Sequence, residues 1–387
     1  MNPLTITNVR HWLIHVPFSA PILWGSGRRA GSTRVVVEVT TAGGVKGYGE
    51  TIALLDFVPT VVAEVAAPLA VGYAVSDVER YHRHIMGAGY YHHQRAAVMA
   101  AAAVEMAMWD ALGKHASLPL HAFWGGLYRP KIPMTAYLFG TDIAALTHSA
   151  HAFLDAGYRN FKVKIGYSEA QDVAIVAAIR AVLGPDILLR ADVNGAWTPG
   201  TAKRLLAKLA PYDLQYIEQP LILQDLVGHA DLRKCQSVPV GLDETAYTLE
   251  EVGTIIQAGA ADVILLDPHE AGGLWQCVKS AALAEAQGIP VTLHSGGELG
   301  LSQAAYLHLA ASIPNMSLSI DTEYYYHSED IIQEPFVITD GALSVPTGPG
   351  LGVTPDIEKL ERFRTSRVIG AYLDPERPGW FAEKPKF

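Results

Sequence analysis

From residue 131 onward the chain repeats one unit: a short aliphatic run, a helical stretch, and another run roughly 25 residues later. The runs cover residues 133–139, 160–165, 187–193, 214–220, 238–243, 262–267, 290–294 and 317–321, with helical stretches such as 198–209 and 272–287 between most of them. Eight such runs predict a parallel (β/α) barrel of the α/β class. An open doubly wound sheet would use the same alternation, and the polar residues decide between the two. Seven consecutive runs end in charged or polar groups: Lys162 and Lys164, Asp192 and Asn194, Glu218, Asp243 and Glu244, Asp267, His294, and Asp321 with Glu323. Catalytic groups of a barrel sit at the C-terminal ends of its strands. Packing alone does not explain the series, because buried charge is costly unless it is paired or bound to metal.

The first third has a different texture. Residues 5–16 and 33–40 alternate and are rich in β-branched side chains, so they read as antiparallel strands, with a turn at Gly43-Gly44. Between them, residues 21–31 read as a glycine-rich loop. Gly25, Gly27 and Ala30 half-match a dinucleotide-binding fingerprint, but that motif needs a helix to follow, and here a strand follows. Residues 58–124 are helical and alanine-rich. The expected division is an α+β capping domain over 1–130, a barrel over 131–350, and a tail over 351–387 that returns to complete the first domain.

Composition narrows the function. Half of the 387 residues are hydrophobic and 18% are charged, which excludes a disordered chain. The 29 Lys+Arg against 39 Asp+Glu leave a net charge of −10, so neither nucleic acid nor an anionic membrane is the expected partner. Cys235 and Cys277 are too few for a disulfide framework and lack metal-ligand spacing. The start of the chain carries no basic head followed by an apolar run. The longest apolar stretch, 96–112, is broken by Glu105 and Asp110 and reads as a buried helix. A cytoplasmic location is the resulting expectation, and the Asn315-Met316-Ser317 sequon is read as unused.

Asp192, Glu218 and Asp243 are spaced by 26 and 25 residues, placing one carboxylate on each of three neighbouring strands. Three converging carboxylates repel one another unless a divalent cation sits among them. Hard oxygen ligands that leave positions open favour Mg²⁺ over zinc. The competing reading is an ion network with the two lysines. Lys162 and Lys164 lie two apart on one strand and share a face. Next to a cation, Lys164 would give up its proton more readily and could act as a base. Asp267 and His294 end adjacent strands, a placement suited to an Asp that fixes the tautomer of a His and raises its basicity. His82, His84, His92 and His93 form a local run, read as a solvated helix face without a role.

The order Lys-x-Lys, Asp-x-Asn, Glu-Gln-Pro, Asp-Glu, Asp and His resembles the enolase superfamily in its mandelate-racemase-like group. The resemblance covers nearly the whole chain. It includes Gly47-Tyr48-Gly49-Glu50, the helix 101–113 with Lys114, Pro119-Leu120 and Gly125-Gly126. It implies an α+β capping domain, a modified (β/α)₇β barrel, Mg²⁺, and chemistry in which a Lys or His base forms a metal-stabilised enediolate. The muconate-lactonizing branch carries a second catalytic Lys on the sixth strand, where this chain has Asp267. The stretches 192–197, 267–269, 320–322, 334–336 and 349–353 are similar to those of glucarate dehydratases. The sequence departs from that branch at Asp243 (usually Asn), at Gln219 (usually Asp), and after His294, where Ser295 replaces Asn.

The resemblance implies a small carboxylate substrate, an acid sugar such as an aldarate or aldonate. Lys164 and His294 would face each other across it. Loss of a β-hydroxyl would give a 2-keto-3-deoxy acid; return of a proton from the opposite side would instead give an epimer, making the same residues a racemase. A non-catalytic relative is the remote alternative. Lys162 is expected to pair with a substrate carboxylate oxygen. Trp24, Arg28 and Arg29 would close over the mouth, with adjacent arginines suited to a distal carboxylate. Asn194, Asp321 and Glu323 complete the expected substrate contacts. A homo-oligomer is the expected state.

Overall fold

The computed structural model describes residues 2–25, 27–54, 56–87, 90–369 and 383–387, and over 90–93 the backbone alone. Three antiparallel strands open the chain: β1 (Ile6–Trp24), β2 (Gly27–Thr41) and β3 (Lys46–Ile52), in the order β1-β2-β3. The region expected to be a glycine-rich loop is strand on both sides of a tight turn. Ile22 pairs with Arg29 and Trp24 with Gly27, after a register irregularity between Pro17 and Ile22. The glycines here mark close approach rather than freedom. A Cβ on Gly27 would meet the Trp24 indole at 2.3 Å, and one on Gly31 would meet the Val16 carbonyl oxygen at 2.5 Å.

The same logic explains Gly47-Tyr48-Gly49-Glu50. The long helix Tyr90–Ala116 lies directly on β3. A Cβ on Gly47 or Gly49 would stand 2.1 Å from the carbonyl oxygens of Ala107 or Ala103, so only glycine allows the packing. This helix is long and apolar enough to cross a membrane, yet it is buried within the fold. His82 is not a solvated residue as expected, because its Nδ1 lies 3.2 Å from the Gly272 carbonyl of the barrel. His84 is exposed and meets the Tyr73 hydroxyl at 2.7 Å. The side chains of His92 and His93 lie outside the described residues.

The barrel comprises β4 (Lys131–Leu138), β5 (Asn160–Lys164), β6 (Leu188–Asp192), β7 (Ile217–Glu218), β8 (Val240–Leu242), β9 (Val263–Leu266), β10 (Val291–Leu293) and β11 (Ile320–Asp321). Each pairs in parallel with the next from β4 to β10, and β11 returns to β4. The remaining seam, β10 to β11, closes through Val291 N to Asn315 O at 3.0 Å and Thr292 Oγ1 to Ser319 O at 2.8 Å. Strands β5 to β11 are shorter than expected, and β4 is one residue longer. Outer helices start at the side-chain caps the sequence supplies: Asp142, Ser168, Thr198, Asp225, and Thr248 in a capping box with Glu251. A last short strand, β12 (Ala342–Ser344), pairs antiparallel with the start of β4.

The tail divides. The helix Ile357–Arg362 and the residues just after it pack on the first domain, with Phe363 O accepting from His15 N and Leu13 O from Thr365 N, both at 2.9 Å. The last residues instead lie on the barrel loop after β6, where Ala196 O accepts from Lys386 N at 2.6 Å. That part of the tail departs from the expected return to the first domain; free carbonyls on the β6 loop hold it.

Candidate active site

The strand ends meet at one mouth. Lys162 and Lys164 leave β5 on the same face, and register places Lys164 beside Asp192 and Asp192 beside Glu218. Lys162 is fully buried and binds Glu218 Oε1 directly, Asp321 Oδ2 at 2.8 Å and Asp192 Oδ2 at 3.1 Å. The ammonium, expected to meet a substrate carboxylate, is here enclosed by protein carboxylates beneath the mouth. Asp321, expected at substrate hydroxyls, lies in the same lower layer. It accepts from the Tyr137 hydroxyl at 3.0 Å, and Arg190 stands 3.3 Å from its other oxygen. To this extent the ion-network reading describes the floor of the site.

Lys164 sits one layer higher. Its Nζ contacts Asp192 Oδ2 at 2.5 Å and Asn194 Oδ1 at 3.1 Å. Asn194 adopts a left-handed backbone, φ +48°, which Asn tolerates, and its Nδ2 donates to Glu244 Oε1 at 3.0 Å. Gln219 is also left-handed, φ +39°, and is held there by its own amide. Nε2 donates to Thr245 Oγ1 at 2.7 Å and Leu221 O at 3.0 Å, while Oε1 accepts from Asp243 N at 3.2 Å and Thr245 N at 3.3 Å. A carboxylate in its place could not donate, which accounts for Gln over Asp in this Glu-Gln-Pro.

His294 closes the opposite side. Asp267 Oδ2 meets its Nδ1 at 3.0 Å, and Asp243 Oδ2 stands 3.6 Å from Nε2. Asp267 is itself fixed by His269 N at 2.7 Å and the Tyr306 hydroxyl at 3.0 Å. Burial alone would strip the His294 proton, but Asp243, Asp267 and Glu270 outweigh it and hold the imidazole well above its usual value. Burial raises Asp267, yet His269 and His294 bring it down to about 2.

The carboxylate trio carries uncompensated charge. Burial, then Asp192, pushes Glu218 well above the carboxylate range, and burial pushes Asp243 up to about 7 against the pull of His294. Asp192 is held far down, because Lys162 and Lys164 overcome its burial. Among the described residues Glu218 Oε2 is buried without a hydrogen-bond partner. Converging carboxylates with a buried, unpartnered oxygen fit a hard divalent cation. Asp243, Glu270 and His294 also bring one potential ligand atom each within 4.8 Å of one another.

Lys164, Asn194, Asp243, Glu244, Glu270 and His294 line one half-open cavity of about 100 Å³. Its roof comes from the β1–β2 hairpin and β3: Trp24, Arg29 and Ile52. Arg29 does not present an open guanidinium to a distal carboxylate as expected. It is ion-paired to Glu323 and donates to Gly296 O at 2.9 Å, latching the hairpin to the mouth. Arg28 is half-buried and does not line the cavity. Glu270 escaped sequence reading because it lies one turn beyond its strand, in the short helix Pro268–Ala271. The available signal was Asp267-Pro268, a cap and first-turn proline that start a helix at the mouth.

Comparison with known proteins agrees with this architecture. Residues 8–125 match the mandelate racemase / muconate lactonizing enzyme N-terminal domain, and residues 145–360 match the enolase C-terminal domain-like family. A probable glucarate dehydratase of Streptomyces coelicolor is 32% identical over 368 residues, covering 84% of this chain and 83% of the relative. An N-succinylamino acid racemase of an Amycolatopsis species is 37% identical over 274 residues, covering 70% and 73%. The crystal structure of an isomerase from Streptomyces coelicolor superposes with a TM-score of 0.85 at 34% identity, covering 93% of this chain and 99% of that one. Both halves of the architecture, the capping sheet and the barrel, are thus matched by family models, and the chain belongs to the enolase superfamily, in its mandelate racemase / muconate lactonizing enzyme branch.

Proposed function

We propose that the protein is a Mg²⁺-dependent acid sugar dehydratase, a hydro-lyase acting on an aldarate or aldonate. One observation carries this reading: Lys164 and the Asp267-backed His294 line the same small cavity, whose walls are rich in carboxylates. Asp192, Glu218 and Asp243 would hold the cation. When bound, it supplies positive charge to a substrate carboxylate whose α-carbon is losing a proton.

The remaining work falls to the chain's own groups. One of Lys164 Nζ and His294 Nε2 removes the α-proton, and the C–H electron pair becomes the new C=C bond. The β-carbon–oxygen bond then breaks as the oxygen takes a proton and leaves as water. Asp267 on Nδ1 makes His294 a base that becomes an acid once protonated, which departure of hydroxide requires. The enol formed tautomerises to a 2-keto-3-deoxy acid. Lys162 stays below, holding Asp192 and Glu218 in place. The Arg29–Glu323 latch keeps the hairpin closed and excludes water.

The same pair could instead return a proton to the opposite face, and similarity to a racemase keeps that second reading in view. A panel of mono- and diacid sugars with Mg²⁺, assayed for 2-keto product by semicarbazide and for α-proton exchange in D₂O by NMR, separates the two. A 2-keto product from at least one acid is expected. Exchange or epimer formation across the panel without 2-keto product would overturn the dehydratase reading in favour of the racemase.

A further inference from the structure

Opposite Lys164, the cavity wall holds a carboxylate that the chemistry above does not use. Glu270 is almost fully buried, yet among the described residues its Oε2 has no hydrogen-bond partner. The side chain is bonded to Tyr247, and the Tyr247 ring is covered by the Arg95 guanidinium at 3.8 Å. Arg95 belongs to the capping helix, so cap and barrel together fix the Glu270 side chain. Glu270 lines the cavity beside His294 and Asp243. A buried carboxyl oxygen left bare costs on the order of 1–3 kcal/mol, so the site is built for something that donates to it. Lys164 and Arg29 are already committed to Asp192 and Glu323.

We infer that Glu270 is a substrate-binding residue whose free oxygen accepts a hydrogen bond from a hydroxyl of the bound acid, on the side of the cavity next to His294. The inference rests on the acid sugar reading and deepens it. A hydroxyl is the small neutral donor that such a substrate brings, and each one on the carbon chain can meet an acceptor. Glu244, whose Oε2 is likewise unpartnered, lines the same cavity and gives the wall a second acceptor. A site that rejects acids lacking the hydroxyl needs this arrangement, since an unmatched analogue leaves the carboxylate bare.

The test compares two six-carbon diacids on the Mg²⁺-loaded Lys164→Ala protein, with the absence of 2-keto product verified over the time of the titration. One is the tighter of galactarate and D-glucarate, with a hydroxyl on each inner carbon; the other is adipate, with none. Isothermal titration should show the sugar acid bound more tightly than adipate. Adding Glu270→Leu should weaken the sugar acid by roughly tenfold, the size of one hydrogen bond, and leave adipate within about twofold. Glu270→Gln, which keeps an acceptor oxygen, should recover part of the loss. If the sugar acid is preferred and the preference survives Glu270→Leu, the assignment of Glu270 falls while the acid sugar reading stands. If the Lys164→Ala protein shows no preference at all, the acid sugar reading itself falls. Equal losses for both acids, or a bound-metal count that drops from two per chain to one in Glu270→Leu, would overturn the hydroxyl contact in favour of a structural or metal-ligating role.

Discussion

Two groups of buried carboxylates stand side by side in this molecule, and they are finished differently. At the seam between cap and barrel both oxygens of Glu50, Glu105 and Asp110 are satisfied. Glu50 takes the Arg34 guanidinium at 2.6 Å together with Leu299 N and Ser302 N at the start of a barrel helix. Glu105 accepts from Trp109 Nε1, Leu274 N and Trp275 N, and Asp110 from Tyr48 N, Lys114 Nζ and Leu351 N. At the mouth, Glu218, Glu244 and Glu270 each keep an oxygen without a hydrogen-bond partner among the described residues. Burial costs both groups alike, so the difference lies in what completes them. Protein completes the seam, and the open oxygens of the mouth leave room for a ligand to complete it.

The largest contrast comes from making the same substitution in both places. Glu218→Gln removes a like charge beside Asp192, so the metal-free protein should keep or gain stability while Mg²⁺ binding and turnover are lost. Glu50→Gln leaves the fully buried Arg34 without its counter-charge and should cost about 3–5 kcal/mol. Chemical denaturation of both variants in EDTA checks the pair. Equal destabilisation would erase the distinction between seam and mouth.

Sequence legibility follows the same divide. The convergence at the mouth was readable because a barrel strand delivers its last side chains at a fixed point, so spacing alone brings Lys164, Asp192, Glu218, Asp243, Asp267 and His294 together. The seam was not. Glu105 and Asp110 read only as interruptions of an apolar helix, because their partners, Leu274 and Leu351, are backbone amides far away in sequence. Arg29 lines the roof as expected, but its pairing with Glu323 was not legible for a related reason: it depends on how the hairpin lies over the barrel. Lys162 and Asp321 share the strand-end signature with the true cavity wall, and depth within a barrel leaves no trace in spacing.

Glu105 sharpens the comparison through pH. Despite its three donors, burial raises its carboxyl to about 7. The folded value lies above that of an unfolded glutamate, so its contribution is fully present below about pH 4.5 and is lost as pH rises through 7. The loss is on the order of 3 kcal/mol at 1.36 kcal/mol per unit. Glu105→Gln removes the titration. Urea unfolding at pH 5 and pH 8 should show the wild type losing stability relative to the variant across that interval. A constant difference between the two proteins would mean that the three donors keep the carboxylate ionised throughout.

The smallest expected effect joins the two regimes, because Gln219 is a satisfied residue inside the mouth. It follows Glu218 directly, and its amide holds Asp243 N and the loop after β8. Outer groups that orient ligands typically change metal affinity by roughly 10–100-fold when removed. Gln219→Ala should weaken Mg²⁺ within that range without touching a carboxylate, and also leave a Cβ at φ +39° with no amide to hold it. Gln219→Gly relieves the backbone strain but restores none of the hydrogen bonds. The expected result is equal loss of Mg²⁺ affinity by titration calorimetry in both variants, with higher thermal stability for glycine. If glycine restores metal affinity as well, the strained backbone is what alanine disturbs, and the amide does not position the Glu218 and Asp243 carboxylates.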